Sequence, residues 1–257
     1  MSNTRYTIDG QIATVTLSNP GKLNALDVQA WHDLARIFGD LHADENLRAI
    51  ILTGEGGNFA AGADIEEFPR VRSTTDAGTR YHTEMIAGTL QAILQCRHPT
   101  IAAIEGVCVG GGLELSSVCD LRLAHPASRF GIPINRLGFP LAPGEMIGLL
   151  QLVGRAVTLE ILLEGRVFGA EEALQKRLIN RLSDDVQAEA RNCAQRIAAG
   201  APLAARMNKE LVRRLSPAPE ALTESELRAA FAFLESEDYR EGVRTFLAKQ
   251  KPVFTGK

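Results

Sequence analysis

Gly110-Gly111-Gly112, followed by Leu113 and an acid, Glu114, is the stretch of this chain best suited to chemistry. Upstream, the residues from Pro99 are largely apolar and read as a strand; downstream, Leu113-Glu114-Leu115 favours a helix. At such a junction the glycines remove every β-carbon, so a ligand atom can approach the backbone closely. The first N–H groups of the helix have no partner inside it and lie at the positive end of its dipole. That arrangement suits an oxygen that becomes negative during a reaction. Glu114, about one turn on, supplies a carboxyl group able to carry a proton.

Other reactive residue types form no comparable constellation. Cys96, Cys108, Cys119 and Cys193 have neither metal-ligand spacing nor a disulfide pattern and are expected in the core, without chemistry. His32, His42, His82, His98 and His125 are scattered, and no Ser/His/Asp trio follows from their order.

The elements that must position the glycine block alternate in type. Arg5 to Asp9 and Gln11 to Ser18 read as a hairpin about Asp9-Gly10. Asp27 caps an expected helix in which Val28, Trp31, Leu34, Ala35, Phe38 and Leu41 recur at helical spacing. A strand over Ala49 to Thr53, a helix over about Ala77 to Gln95, a strand over Thr100 to Ile104, the Glu114 helix and a strand over Leu121 to Ala124 continue the series, which predicts an α/β core. From Glu145 onward, helical patterns dominate, and only Leu178 to Leu182 looks extended. The apolar face of Ala218 to Phe233, with Leu222, Leu227, Ala230, Phe231 and Phe233, is too wide for an isolated surface helix and is expected to pack on another subunit.

Composition narrows the class further. With 257 residues, 45% hydrophobic and 23% charged, the chain can bury a large core, and its net charge of -3 argues against binding nucleic acid or an anionic membrane. The N-terminus carries no apolar signal core, and no later run looks like the roughly 18 apolar residues that cross a bilayer, so a cytoplasmic location is expected.

Taken together, ordered blocks across nearly the whole chain resemble the crotonase superfamily, the enoyl-CoA hydratase/isomerase family. They are Pro20-Gly21-Lys22-Leu23-Asn24-Ala25-Leu26, the run from Thr53 to Ile65, the triple-glycine block, Cys119-Asp120-Leu121-Arg122-Leu123-Ala124, Phe130-Gly131-Ile132-Pro133, Leu152-Val153-Gly154 and Phe246 to Phe254. The resemblance implies a crotonase-like spiral of ββα turns, expected over residues 1–200, and a C-terminal helical trimerisation region over 201–257 that gives a homotrimer or a dimer of trimers. It implies an acyl-CoA substrate and no cofactor or metal beyond the substrate's coenzyme A. Ala63 and Gly111 match the residues whose N–H groups form the family's oxyanion hole. Lys22 and Leu23 match the loop beside the nucleotide, Ala61, Asp64 and Ile65 the strip along pantetheine and adenine, and Phe246 and Lys249 a C-terminal pair that reaches coenzyme A. The chain departs from the family pattern at Glu66 and Glu67, where a lysine is common, and this weakens an adenine or phosphate contact there.

Hydratases of this family use two glutamates to add water across an α,β double bond. Glu114 matches the first, but Ile134 stands where the second belongs and can neither bind a proton nor orient water. Glu145, in Ala142-Pro143-Gly144-Glu145-Met146, is the candidate substitute; its alternative role is to oppose the dipole of its own helix. Three functions follow: an enoyl-CoA hydratase using Glu114 and Glu145, an enoyl-CoA double-bond isomerase using Glu114 alone, or a non-catalytic acyl-CoA-binding or interaction protein. His82 lies in the helix that borders acyl pockets in relatives and is a further, minor candidate. The regions Phe68 to His82 and Ile132 to Leu141 are expected to wall the acyl pocket.

Overall fold

A computed structural model describes residues 2–216 and 222–257. β1 (Arg5–Asp9) and β2 (Ile12–Leu17) form the hairpin, with Asp9 opposite Ile12, so the turn is Gly10-Gln11 rather than Asp9-Gly10. Gly10 takes the positive φ of 57° that such a tight turn needs. α1 (Val28–Ala43) begins at Asp27, whose carboxylate accepts a hydrogen bond from the Ala30 amide at 2.8 Å, and it buries Trp31, Leu34, Ile37, Phe38 and Leu41 on one face. β3 (Ala49–Gly54) follows. The helix expected over Ala77 to Gln95 lies inside a longer helical stretch: α2 (Phe68–Val71), α3 (Thr75–Arg80), a π-helical turn over Tyr81–Ile86, and α4 (Ala87–Gln95).

The apolar run from Pro99 is two strands. β4 (Thr100–Ile104) and β5 (Val107–Val109) belong to different sheets, and the chain breaks between them at Gly106, φ +52°. A β-carbon at Gly106 would come within 2.4 Å of both Asn58 Oδ1 and the Gly57 carbonyl, so only glycine lets the chain change sheets here. α5 (Gly111–Ser117), β6 (Leu121–Ala124), β7 (Arg129–Gly131), α6 (Pro143–Glu164), β8 (Phe168–Gly169), α7 (Ala170–Gln175) and β9 (Arg181–Leu182) come next. The chain closes with α8 (Val186–Ala198), α9 (Pro202–Leu215), α10 (Glu224–Ala230) and α11 (Glu237–Leu247).

One sheet has the order β1-β2-β3-β4-β6-β9, parallel after the first pair; the other is β5-β7-β8. Strand periodicity divides the core between the two faces of the larger sheet. Ala49, Ile51, Ile101, Ala103 and Leu123 pack against Val186, Ala190, Cys193 and Ala194 of α8. Ile50, Leu52, Ala102 and Ile104 face the main core with Trp31, Leu34 and Leu90. Burial on both faces is what an internal parallel strand requires. The four cysteines are buried and unpaired, and burial pushes the Cys108 and Cys119 thiols up to about 12.

Two expectations are corrected. α6 is long and apolar enough by length and composition to cross a membrane, unlike what the linear reading found. It is broken at Gly154 (φ 72°, ψ 175°), however, and neither half reaches the roughly 20 residues of a span. The expected face of the C-terminal region is covered in its second half by the chain itself: Phe231 is buried, Leu227 and Phe233 pack against the core, and Phe233 stacks on Phe139 at a centroid distance of 5.6 Å, whereas Leu222 is exposed. Residues Ala218 to Ala221 of that expected interface, and the first residues of the helix expected from Pro219, lie outside the described residues. A capping box at Thr223 and Glu226 starts the helix later, at Glu224.

Candidate active site

Two strand-like segments side by side create the site. Ala60 bridges Cys108 in parallel register, with the Ala60 amide donating to the Val107 carbonyl at 2.9 Å and the Val109 amide to the Ala60 carbonyl at 3.0 Å. Three residues further along each segment stand Ala63 and Gly111. Gly62 (φ +97°) allows this approach: a β-carbon there would sit 3.4 Å from the Gly111 nitrogen and 3.1 Å from the Val109 carbonyl. Among the described residues, neither the Ala63 nor the Gly111 N–H has an acceptor, since the neighbouring bonds run from Leu26 N to Gly62 O, from Asp64 N to Leu26 O and from Gly110 N to Gly131 O. Both residues line one cavity of about 290 Å³. Two free amides at one wall suit an oxygen that gains negative charge.

Glu114 lines the same cavity from the first turn of α5 and is buried. Burial pushes its carboxyl well above the usual range; the nearby charge of Glu145 adds to the rise and that of Arg72 opposes it. Glu145 enters from the first turn of α6, also buried. Small residues set this approach: a β-carbon at Gly144 would lie 2.8 Å from Ala87 Cβ, and one at Gly148 2.6 Å from Val118 Cγ1, so α6 sits close against α4 and the end of α5. The Glu145 carboxylate does not bond to the N-terminal amides of its own helix. Its Oε1 lies 2.6 Å from Nδ1 of His82, which the π-helical turn presents. Burial pushes His82 below its ordinary pKa, with Glu145 pulling the other way; an imidazole that carries its proton on Nδ1 can donate to the carboxylate. Ile134 lines the cavity too, so the position expected for a second acid is an apolar wall.

Phe68, Leu137, Phe139 and Leu141 line the cavity from the two expected wall regions, and Trp31 and Ile86 from outside them, whereas Ile132 is buried and does not line it. Arg72 was not singled out from sequence. It follows Arg70 in a short charged stretch, and nothing in the linear pattern shows which of the two turns inward. Arg70 is exposed and pairs with Glu67, while Arg72 is buried at the cavity.

A second groove shares Ala61, Ala63, Ile65 and Phe246 with this cavity and adds Lys22, Asp64 and Lys249. Six of the seven residues expected along coenzyme A therefore meet, with α11 supplying Phe246 from the same chain. Leu23 does not line the groove; it is half exposed in a loop, with φ of 49°. The Lys22 ammonium lies 2.7 Å from Asp64 Oδ2 and 2.7 Å from Glu66 Oε2, so two carboxylates already engage it and raise its pKa. Lys249 forms no ion pair among the described residues. No group of histidines, cysteines and carboxylates among the described residues has the arrangement of a metal site.

The enoyl-CoA hydratase/isomerase family profile matches residues 7–257. A Mycobacterium tuberculosis protein named as a probable enoyl-CoA hydratase is 36% identical over 253 residues, covering 96% of this chain and 95% of that protein. Among solved structures, an enoyl-CoA hydratase/carnithine racemase from Magnetospirillum magneticum is 44% identical, with a TM-score of 0.82, over 100% of this chain and 97% of that one. A methylmalonyl-CoA decarboxylase in complex with 2-nitronate-propionyl-CoA is 28% identical with a TM-score of 0.85, over 99% of this chain and 98% of the other. The chain belongs to the enoyl-CoA hydratase/isomerase family, within the crotonase superfamily.

Proposed function

We propose that the protein is an enoyl-CoA hydratase, adding water across the double bond of a 2-enoyl-CoA with Glu114 as acid and Glu145 as base. The observation that carries this reading is the convergence of Glu114, Glu145 and the free Ala63 and Gly111 amides on one cavity. The thioester oxygen accepts from the two amides, which polarise the conjugated double bond. Glu145, oriented by His82, takes a proton from water as its oxygen bonds to Cβ. The electron pair moves to the thioester oxygen as an enolate, held by the amides. Glu114, kept protonated by burial, then gives its proton to Cα. The two carboxyls end with their protonation exchanged, and proton transfer through solvent resets them.

The isomerase reading is favoured by one observation, Ile134 in the cavity wall, and would leave Glu114 to move a proton between α and γ carbons. Incubation with crotonyl-CoA separates the two. Hydration removes the conjugated absorbance, whereas an isomerase leaves crotonyl-CoA intact and makes conjugated product from a 3-enoyl-CoA. Only the second behaviour, across short and medium chains, would overturn the hydratase reading.

The homotrimer, or dimer of trimers, is also a proposal, and α9 is the surface that supports it. Arg206, Lys209 and Arg213 hold α9 on its own chain by bonds to the carbonyls of Glu45, Leu47, His98 and Leu94. Leu203, Met207, Leu211 and Leu215, four residues apart, form an exposed apolar stripe on the other side.

A further inference from the structure

Arg72 presents to the cavity a cation that forms no ion pair among the described residues. Only 7% of the residue is exposed, and its Nε and Nη1 are buried without a hydrogen-bond acceptor among the described residues. Its backbone amide caps α2 by donating to the Phe68 carbonyl at 2.9 Å, which fixes where the side chain starts. Aromatic rings then hold the guanidinium: its central carbon lies 3.6 Å from the ring centroid of Phe68, 4.6 Å from that of Phe139, 5.4 Å from that of Tyr81 and 6.0 Å from that of Tyr239. Ring faces stabilise the cation electrostatically but cannot accept the in-plane N–H bonds. Beside it the wall is Phe68, Ile86, Leu137, Phe139 and Leu141, with the exposed Arg136 also on the lining, so a plain alkyl chain would offer the buried guanidinium no acceptor.

Resting on the acyl-CoA reading above, we propose that the acyl group of the substrate carries a carboxylate remote from the thioester, and that Arg72 binds it. A carboxylate carries the charge opposite to the guanidinium and accepts a charge-assisted bond from it; with Nε and Nη1 sealed from the cavity, Nη2 is the nitrogen that donates. The apolar lining on either side accommodates the methylenes between the two ends. Arg72 is thus a specificity residue, and the class of ligand is a dicarboxylic acyl group joined to coenzyme A at one end. A simpler role would be to offset the charge of Glu114 and Glu145 through space. Arg72 pairs with neither of them, and that role would not distinguish one acyl chain from another.

Titration calorimetry on the full chain with adipyl-CoA and hexanoyl-CoA, which differ in the terminal carboxylate, tests this without any turnover. At least tenfold tighter binding of adipyl-CoA is expected, and equal or weaker binding overturns the proposal even if no variant folds. In Arg72→Met, the preference should fall to near unity while Arg72→Lys keeps part of it. A preference unchanged in Arg72→Met would equally overturn it. Turnover of the matching 2-enoyl thioesters keeps the two readings apart. A carboxylate preference in binding with no hydration of either thioester sinks the hydratase reading alone; hydration of both without preference sinks the role of Arg72 alone.

Discussion

Glu114 illustrates how burial serves chemistry at a cost in stability. Its carboxyl is raised in the folded state, so between the usual carboxylate range and the raised value the folded chain holds more protons than the unfolded one. Folding is therefore destabilised progressively as pH rises through that window, and the penalty is fully present above it. Glu114→Gln removes the ionisable group. It should cut kcat by about 10²–10⁴-fold while raising stability at pH 8, a gain that shrinks toward pH 4 in denaturant titrations. The acid itself was legible from the glycine block before it, as was the apolar Ile134. Arg72 was not, and His82 was legible only as a minor candidate beside the pocket, without its pairing to Glu145, because partnership depends on which turn of a helical run faces inward. The π-helical turn over Tyr81–Ile86 sets that direction for His82, and hydrophobic periodicity does not report such a turn.

Among the elements, most helices and the strands of the larger sheet follow from periodicity and caps, as at Asp27 and α1. The smaller sheet does not. β5, β7 and β8 are two or three residues long and owe their pairing to neighbours rather than to their own pattern. Their consequence is large, because β5 lays Gly111 beside Ala63. Close approach there depends on glycine: a β-carbon at Gly112 would meet the Ala60 carbonyl oxygen at 2.4 Å. Gly112→Ala should cost about 1–3 kcal/mol and lower activity with it, since Ala60 belongs to the segment that carries Ala63. Gly39→Ala, in α1 with no atom near its added methyl, should instead stabilise by about 0.5–1 kcal/mol; paired thermal melts compare them directly.

For the whole molecule, the wide apolar C-terminal face is legible in the sequence, but that its aromatic half packs on its own chain is not. Phe231 and Phe233 close over the chain's own aromatic cluster, packing behind His82 and Phe139, two residues that line the cavity. The exposed stripe belongs to α9, whose charged face is turned inward, a reversal that hydrophobic periodicity cannot distinguish from the ordinary orientation. Leu211→Asp, placed mid-stripe, should shift the protein from trimer toward monomer in light scattering, with little change in far-UV circular dichroism. Melting of the wild type should rise with protein concentration, as expected when folding and assembly are linked.

In the proposed hydration, Glu145 replaces the absent partner acid. The direct test of this is the rate at which Glu145→Gln, shown by a cooperative melt to be folded, consumes crotonyl-CoA. A two-acid site predicts a loss of at least about a hundredfold in kcat. Hydration at the wild-type rate would contradict it, leaving Glu114 as the only acid of the reaction.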